Sequence, residues 1–435
     1  MSDPDGDWPS PAIAWGSVAA LLLAYIVSFA DRQILSLLVG PIKADLQISD
    51  TQFSLLAGLA FAIFYTVMGL PFGRLADRAS RRLIVVVGTL AGGMAAAACG
   101  LANSFAALFG GRVFAGTADA ALGPSVFSML ADLFPPASRA RAFSVYSLGI
   151  YFGAGLAFGA GGLVVGAVAE NPQVTLPLIG TVQAWQAVFL VIAAPAFLLA
   201  PFLLLLPEPV RRGRAETPEQ LRVRETLRYV WTRRALFGPW FFGFGIVVLA
   251  NFATLAWTPE FFIRRHGVSP RDAGVQIGLI MAVAGSVGVL AGGWFADWLA
   301  SRGRRDGTLI AGALACLGGM VPGVMFPLVD DPALAKALLA PLFFFGAFAS
   351  GAAPSAIGAV VPNEMRGQVS ALYLLVINLL GIGLGPTLPA LFTDFLFGDE
   401  AKLGLSLALT AAITGLPSAW LLHRARKPYL AASQR

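Results

Sequence analysis

Gly73-Arg74-Leu75-Ala76-Asp77-Arg78-Ala79-Ser80-Arg81-Arg82 is answered 220 residues later by Gly293-Trp294-Phe295-Ala296-Asp297, followed by Ser301-Arg302-Gly303-Arg304-Arg305. Each stretch closes one long apolar run and opens another, and the glycine and aspartate keep the same spacing. A weaker echo joins Arg139 to Ser144 with Arg366 to Ser370. Self-similarity at this distance predicts two halves related by duplication.

The composition says what the halves are made of. Of 435 residues, 57% are hydrophobic and 12% charged, against about 25% charged in a soluble domain. Too few charges remain to wet the surface, which excludes a water-soluble enzyme. A bilayer crossing takes about 20 apolar residues, and runs of that kind fall at 12–39, 51–73, 83–104, 106–132, 140–168 and 183–206. A second set falls at 239–263, 271–297, 307–328, 333–355, 366–396 and 401–422. The expected fold is an all-α membrane protein of twelve transmembrane helices in two pseudo-symmetric six-helix bundles. Its parts are an N-terminal bundle (1–206), a cytoplasmic linker (207–238), a C-terminal bundle (239–423) and a cytoplasmic tail (424–435). In the linker, charges at Arg222, Arg224, Glu225 and Arg228 interleave with Leu221, Leu227, Val230 and Trp231, a pattern for an amphipathic helix on the membrane surface.

The net charge is +6, from 30 basic and 24 acidic residues. Assigned loop by loop, 22 of the bases fall on one side and 6 on the other, with Arg32 and Arg112 inside spans. Basic loops stay in the cytoplasm, so both termini and the linker are expected there, in a plasma (inner) membrane. The basic excess is accounted for by the bilayer, and no nucleic acid is implied. Met1 to Trp8 carries three aspartates and no base, unlike a signal peptide, so the first span is read as retained. Cys99 and Cys316 lie within apolar runs and imply no disulfide. With only His266 and His423 and no phosphate-binding loop, neither enzyme chemistry, nor a metal, nor a cofactor is expected.

The paired loops resemble the cytoplasmic signature of the major facilitator superfamily, and Arg112-Val113-Phe114-Ala115-Gly116 resembles that superfamily's helix-four arginine motif. The resemblance implies the major facilitator fold from Ala12 to about Leu422. It also implies a cytoplasmic gate at Gly73, Asp77, Arg78, Arg81, Arg82, Gly293, Asp297 and Arg304, latched while the outer side is open. Within the superfamily, Phe29-Ala30-Asp31-Arg32-Gln33-Ile34-Leu35 and Arg112 with Asp119 are similar to the spinster-type subgroup. So are Met365-Arg366-Gly367, Asn378, Gly381 and Gly385-Pro386. Spinster relatives move lysophospholipids or sphingosine phosphates, and sugar-acid symporters share several of these features. Ser80 replaces a usual glycine and Asp119 a usual glutamate, one methylene shorter. The glycine run from Gly153 to Gly162 lacks the proline of the drug-antiporter motif and suits close helix approach.

Charges at bilayer depth cost at least about 2.5–3.5 kcal/mol each, so Asp31, Arg32, Arg112 and Asp119 are expected to work together. Arg112 and Asp119, seven residues apart, share one helix face. Burial and a nearby arginine pull a carboxylate's proton affinity in opposite directions. Asp31 and Asp119 are therefore the expected proton-coupling residues. Arg32 and Arg112 are the expected anion contacts, because guanidinium matches carboxylate or phosphate at two points. Tyr65, Tyr151, Trp257 and Tyr373 are candidate walls for an apolar part, as are Phe61 and Tyr146. Asn251, Glu260 and Asn378 are candidate polar contacts. The function expected is proton-coupled, alternating-access transport of an amphipathic anionic lipid, by a monomer. A symporter of a small organic anion such as a sugar acid, or a non-transporting receptor, is the alternative.

Overall fold

A computed structural model of the chain describes residues 8–168, 173–176, 180–211, 223–349, 357, 360–362 and 365–433. Among them, eleven helices are long and apolar enough to cross a membrane, and a shorter apolar helix makes the twelfth crossing. The first six are Pro11–Leu37, Asp50–Arg78, Arg81–Gly100, Phe105–Leu133, Arg141–Ala167 and Ala184–Leu204. Spans 7 to 12 are Arg234–His266, Pro270–Ser301, Gly307–Leu328, Pro332–Phe348, Arg366–Phe397 and Glu400–Ala432. The twelve form two six-helix bundles. Alternation of direction puts Arg81, Arg234, Arg304 and Arg426 on one face, here called the basic face, and Lys43, Asp50, Arg264 and Glu400 on the opposite one.

Local chemistry sets the ends. Ser269 accepts the Asp272 N–H ahead of Pro270, opening span 8 with a cap and a first-turn proline. Gly267, at φ 62°, closes span 7 in the left-handed conformation that suits glycine. The linker holds a helix at Val223–Thr232 with Leu227 and Trp231 exposed, and Tyr229 donates its hydroxyl to the Val360 carbonyl at 3.1 Å.

Two features differ from the sequence expectation. The residues after 422 continue span 12 as helix to Ala432, because Ala425 and Tyr429, one turn apart, bury on the same face, with Tyr429 edge-on to Trp240. Between spans 5 and 6, Gln173–Leu176 pairs antiparallel with Gly180–Gln183 in a short hairpin. Four-residue strands carry too little periodicity to be read from sequence.

The bundles meet closely in two places, both made possible by missing side chains. Span 2 breaks at Gly58, where a Cβ would lie 2.5 Å from the Gly383 carbonyl oxygen of span 11, itself locally π-helical over Leu379–Leu384. In the glycine run of span 5, a Cβ at Gly155 would lie 2.5 Å from the Gly278 carbonyl oxygen of span 8, and one at Gly162 would meet Gly274. Backbone contact of this kind is how apolar helices associate where lipid offers no hydrophobic gain. Toward the basic face the contacts thin out: a Cβ at Gly73 or Gly293 would meet nothing within 4 Å.

Candidate functional site

Asp31 and Arg32 are neighbours on span 1, so their side chains leave the helix about 100° apart. They reach two residues of span 4 that lie two turns apart on one face. The pairs cross: Arg112 Nη1 donates to Asp31 Oδ2 at 2.8 Å, and Arg32 donates from Nε at 2.9 Å and Nη2 at 2.8 Å to Asp119 Oδ2. Neither pairing is the one within span 4 that the spacing allowed. Two acids and two bases thus balance, and each base is held by the other helix.

The two arginines are not equivalent. Arg112 is 1% exposed, with its Nε directed at the Leu56 carbonyl, whereas the Arg32 side chain keeps 12% of its surface. Phe61 of span 2 lies against both, its ring centroid 4.3 Å from the Arg32 guanidinium carbon and 5.4 Å from that of Arg112. Cation–π contact of this kind holds a guanidinium without neutralising it. Gly116 explains how span 2 comes so near: a Cβ there would collide with the Phe61 carbonyl. Tyr65, one turn along, stacks on Phe61 and sits 4.9 Å from Arg32.

Arg32 and Asp119 border a cavity of about 180 Å³ inside the N-terminal bundle, walled also by Tyr25, Tyr65, Tyr146 and Ser147, with Leu122 and Phe127 at its apolar side. Arg32 also borders a smaller gap between the bundles, with Phe252, Ile382 and Pro386 across it. Of the two guanidiniums expected to contact an anion, Arg32 borders the cavity, whereas that of Arg112 is enclosed and bonded to Asp31.

Several other expected contacts are placed elsewhere. Tyr373 is buried in an aromatic cluster with Trp240 and Phe241 inside the C-terminal bundle. Trp257 donates Nε1 to the Pro386 carbonyl at 2.7 Å and lies edge-on to Phe53, sealing the bundle contact. Tyr151 packs its ring against Gly285 of span 8. Asn251 donates to the Gly346 carbonyl at 2.9 Å, and Asn378 is half-buried just before the π-helical stretch. Glu260, expected as a polar contact, accepts Arg264 Nε at 2.7 Å.

That pair belongs to a cluster sequence reasoning missed. On the opposite face, Asp50 of span 2 accepts both terminal nitrogens of Arg264 of span 7 at 2.8 Å and also takes Lys43. Lys43 in turn reaches Glu400 at 2.7 Å, and Thr51 N–H donates to Asp394 of span 11 at 2.7 Å. Two ion pairs of this cluster, Arg264 with Asp50 and Lys43 with Glu400, join the two bundles. Arg81, Arg82 and Arg304, expected to gate the basic face, are held by groups on that face. Arg81 bonds Asp132 of its own bundle and Glu208 just after span 6; Arg82 donates to the Leu206 carbonyl at 3.0 Å; Arg304 and Arg426 share Asp306. Asp77, Arg78 and Asp297 are exposed. The described state is closed on the opposite face.

The family model of the Major Facilitator Superfamily matches residues 21–386. The chain belongs to this superfamily. It is 27% identical over 413 residues to an MFS-type efflux pump of Mycolicibacterium smegmatis, covering 94% of this chain and 91% of that one. It is 26% identical over 387 residues to a hexuronate transporter of Bacillus subtilis, covering 86% of each. Among solved structures, a bacterial homologue of the human lysosomal transporter spinster, described as inward-facing and unoccupied, superposes with a TM-score of 0.79 at 24% identity over 98% of both chains. This superfamily member is a multi-pass integral membrane transporter and not an enzyme.

Proposed function

We propose that this transporter carries a small organic anion, such as a sugar acid, together with protons. The observation that carries the reading is a single accessible guanidinium, Arg32, set in the wall of a cavity of about 180 Å³ whose other walls are largely hydroxyl-bearing. Pockets for drug-sized ligands run to about 300–1,000 Å³, so this one suits a compact ligand with several hydroxyls. An incoming carboxylate competes with Asp119 for Arg32. A proton arriving on Asp119 releases Arg32 to the substrate, and its departure restores the internal pair, so proton and anion are linked through one base. Relatives named as transporters of hexuronate, D-galactonate and gallate support an anionic cargo. An amphipathic lipid-like anion, of lysophospholipid or sphingosine-phosphate type, is the second reading, favoured by the apolar side formed by Leu122 and Phe127. The protein works as a monomer in the inner membrane, with the basic face and both termini in the cytoplasm. The Gly73–Arg82 and Gly293–Arg305 loops form the cytoplasmic gate in the state that is open outside.

Uptake into proteoliposomes under an inward proton gradient separates the two cargoes. Labelled glucuronate is expected to accumulate, and accumulation of a labelled lysophospholipid in its place would transfer the site to the second reading. Asp31→Asn is expected to remove the acid stimulation while the protein stays folded and monodisperse; an unaltered pH profile would take Asp31 out of the coupling.

A further inference from the structure

Beside the quartet lies a second and much smaller chamber, of about 20 Å³, enclosed by spans 1, 3, 4 and 6. Most of its wall is glycine, alanine and aliphatic carbon, including Gly88, Gly92, Ala96 and Ala196. Three buried oxygens in that wall have no hydrogen-bond partner in the protein: Ser28 Oγ, Asp31 Oδ1 and Thr89 Oγ1. Their residues come from spans 1 and 3, and none is part of the ion pairs through the atom in question, since Asp31 uses Oδ2 for Arg112. Asp119 is oriented in the same way. Its Oδ2 holds Arg32, while Oδ1 stands 3.8 Å from where a Cβ of Gly92 would be. Ser28 and Asp119 border both the small chamber and the 180 Å³ cavity, so they form the partition between the two.

Size and charge together select the occupant. A water needs about 10–15 Å³ of such space and two to four polar partners, so the chamber takes one water and no organic molecule. A dry chamber would leave three buried oxygens unpaired, which costs more than immobilising one water. A monovalent metal ion would fit by size, but Asp31 and Asp119 are already balanced by Arg112 and Arg32, so a further positive charge would meet two guanidiniums and no spare anion.

We infer that this chamber is a one-water site, held by the hydroxyls of Ser28 and Thr89 and by Asp31 Oδ1, through which a proton passes between Asp119 at the substrate cavity and Asp31 in the interior. The step balances. Protonated Asp119 gives its proton to the water oxygen as the water gives one of its own to the Asp31 carboxylate, leaving water and an Asp119 carboxylate behind. The charged and titratable groups facing Asp31 are Arg112, Asp119 and Cys99, together with Arg32 of its own helix. Span 6 contributes only Ile192 and Ala196 to the chamber wall. Thr89 is thereby a positioning residue: it acts on the proton through the water it holds.

The inference rests on the proton-coupled reading, and its test separates the two. Thr89→Val preserves shape and removes the hydroxyl; Thr89→Ser preserves the hydroxyl. Acid-driven glucuronate uptake, with proton entry followed by a trapped pH dye, is expected to fall by about a hundredfold in Thr89→Val, the scale of a lost proton-transfer partner, and to recover in Thr89→Ser. Infrared difference titration of purified protein, which needs no substrate, is expected to show the buried-carboxyl band titrating at a different pH in Thr89→Val and at the wild-type pH in Thr89→Ser. If wild type moves no glucuronate or protons, the functional reading fails and the infrared comparison alone decides the water site. Wild-type uptake and infrared titration in Thr89→Val would overturn the inference. So would stimulation by sodium over choline that Thr89→Val abolishes, because the occupant would then be a cation.

Discussion

Asp50→Ala is expected to move the conformational equilibrium away from the state closed on the opposite face by a factor of a hundred to a few thousand. The side chain is wholly enclosed, and it holds Arg264 through two parallel bonds and Lys43 through a third. Removing one member of a buried ion pair costs about 3–5 kcal/mol, mostly from the charge left behind, and each 1.4 kcal/mol is a factor of ten. Asp50 and Arg264 belong to different bundles, so the penalty falls on the state in which they touch and spares the state in which both meet water. Spin labels at the exposed positions Ala44 and Ala401, one on each bundle at this face, measure the shift directly. The variant should show a longer-distance population that wild type lacks; the same distance distribution in both would show that the glycine contacts of spans 5 and 8 close the face unaided.

Arg81→Ala is expected to cost about 3–5 kcal/mol of fold stability, again by abandoning a buried charge. Arg81 has no exposed side-chain surface. Its guanidinium bonds Asp132 and Ser128 of span 4, Glu208, and the Pro209 carbonyl, tying the start of span 3 to the end of span 4 and to the segment after span 6. Arg78→Ala, exposed in the same loop, should stay within about 0.5 kcal/mol of wild type. Thermal denaturation of the two variants in one detergent decides the matter, and equal midpoints would return Arg81 to the role of a plain basic-loop charge.

Glu208 adds a pH dependence to this clamp. Burial pushes its carboxyl up, but the Arg82 N–H, the Ser80 hydroxyl and Arg81 outweigh burial and hold it below its ordinary value. A carboxyl depressed in the folded protein contributes in full above the unfolded value, here 4.5, and the contribution is lost as pH falls through the lower folded one. Glu208→Gln is therefore expected to flatten the fall of the denaturation midpoint on acidification.

The twelve crossings were legible because a bilayer admits few solutions: an apolar run of sufficient length must be a helix with its backbone bonds satisfied within itself. The repeat was legible because its glycines and aspartates keep their spacing whatever lies between. Four ionisable residues inside apolar runs announced a site by their cost alone. Which acid met which base was not legible, because Asp31 and Arg32 leave one helix in different directions and only the rotation of span 1 against span 4 assigns the partners. Arg81 looked like one arginine among several, and nothing local distinguished the buried one from its solvated neighbours.

Sequence by itself determined the element lengths, the two halves, the membrane setting and the helices that carry charge, since each follows from interactions within a segment or between a segment and its solvent. Tertiary structure alone decided that Arg32 faces the cavity while Arg112 is enclosed, and that Lys43, Asp50, Arg264 and Glu400 form one cluster. Arg264 lies 214 residues from Asp50, and Glu400 lies 357 from Lys43, so each charge in isolation is an ordinary loop charge in water. Tertiary structure also decided that Ser28, Asp31 and Thr89 share a chamber. Their pairing energies exist only once two bundles close and four helices pack, because an electrostatic or hydrogen-bonded contact depends on distance in space and carries no trace in the local pattern of the chain.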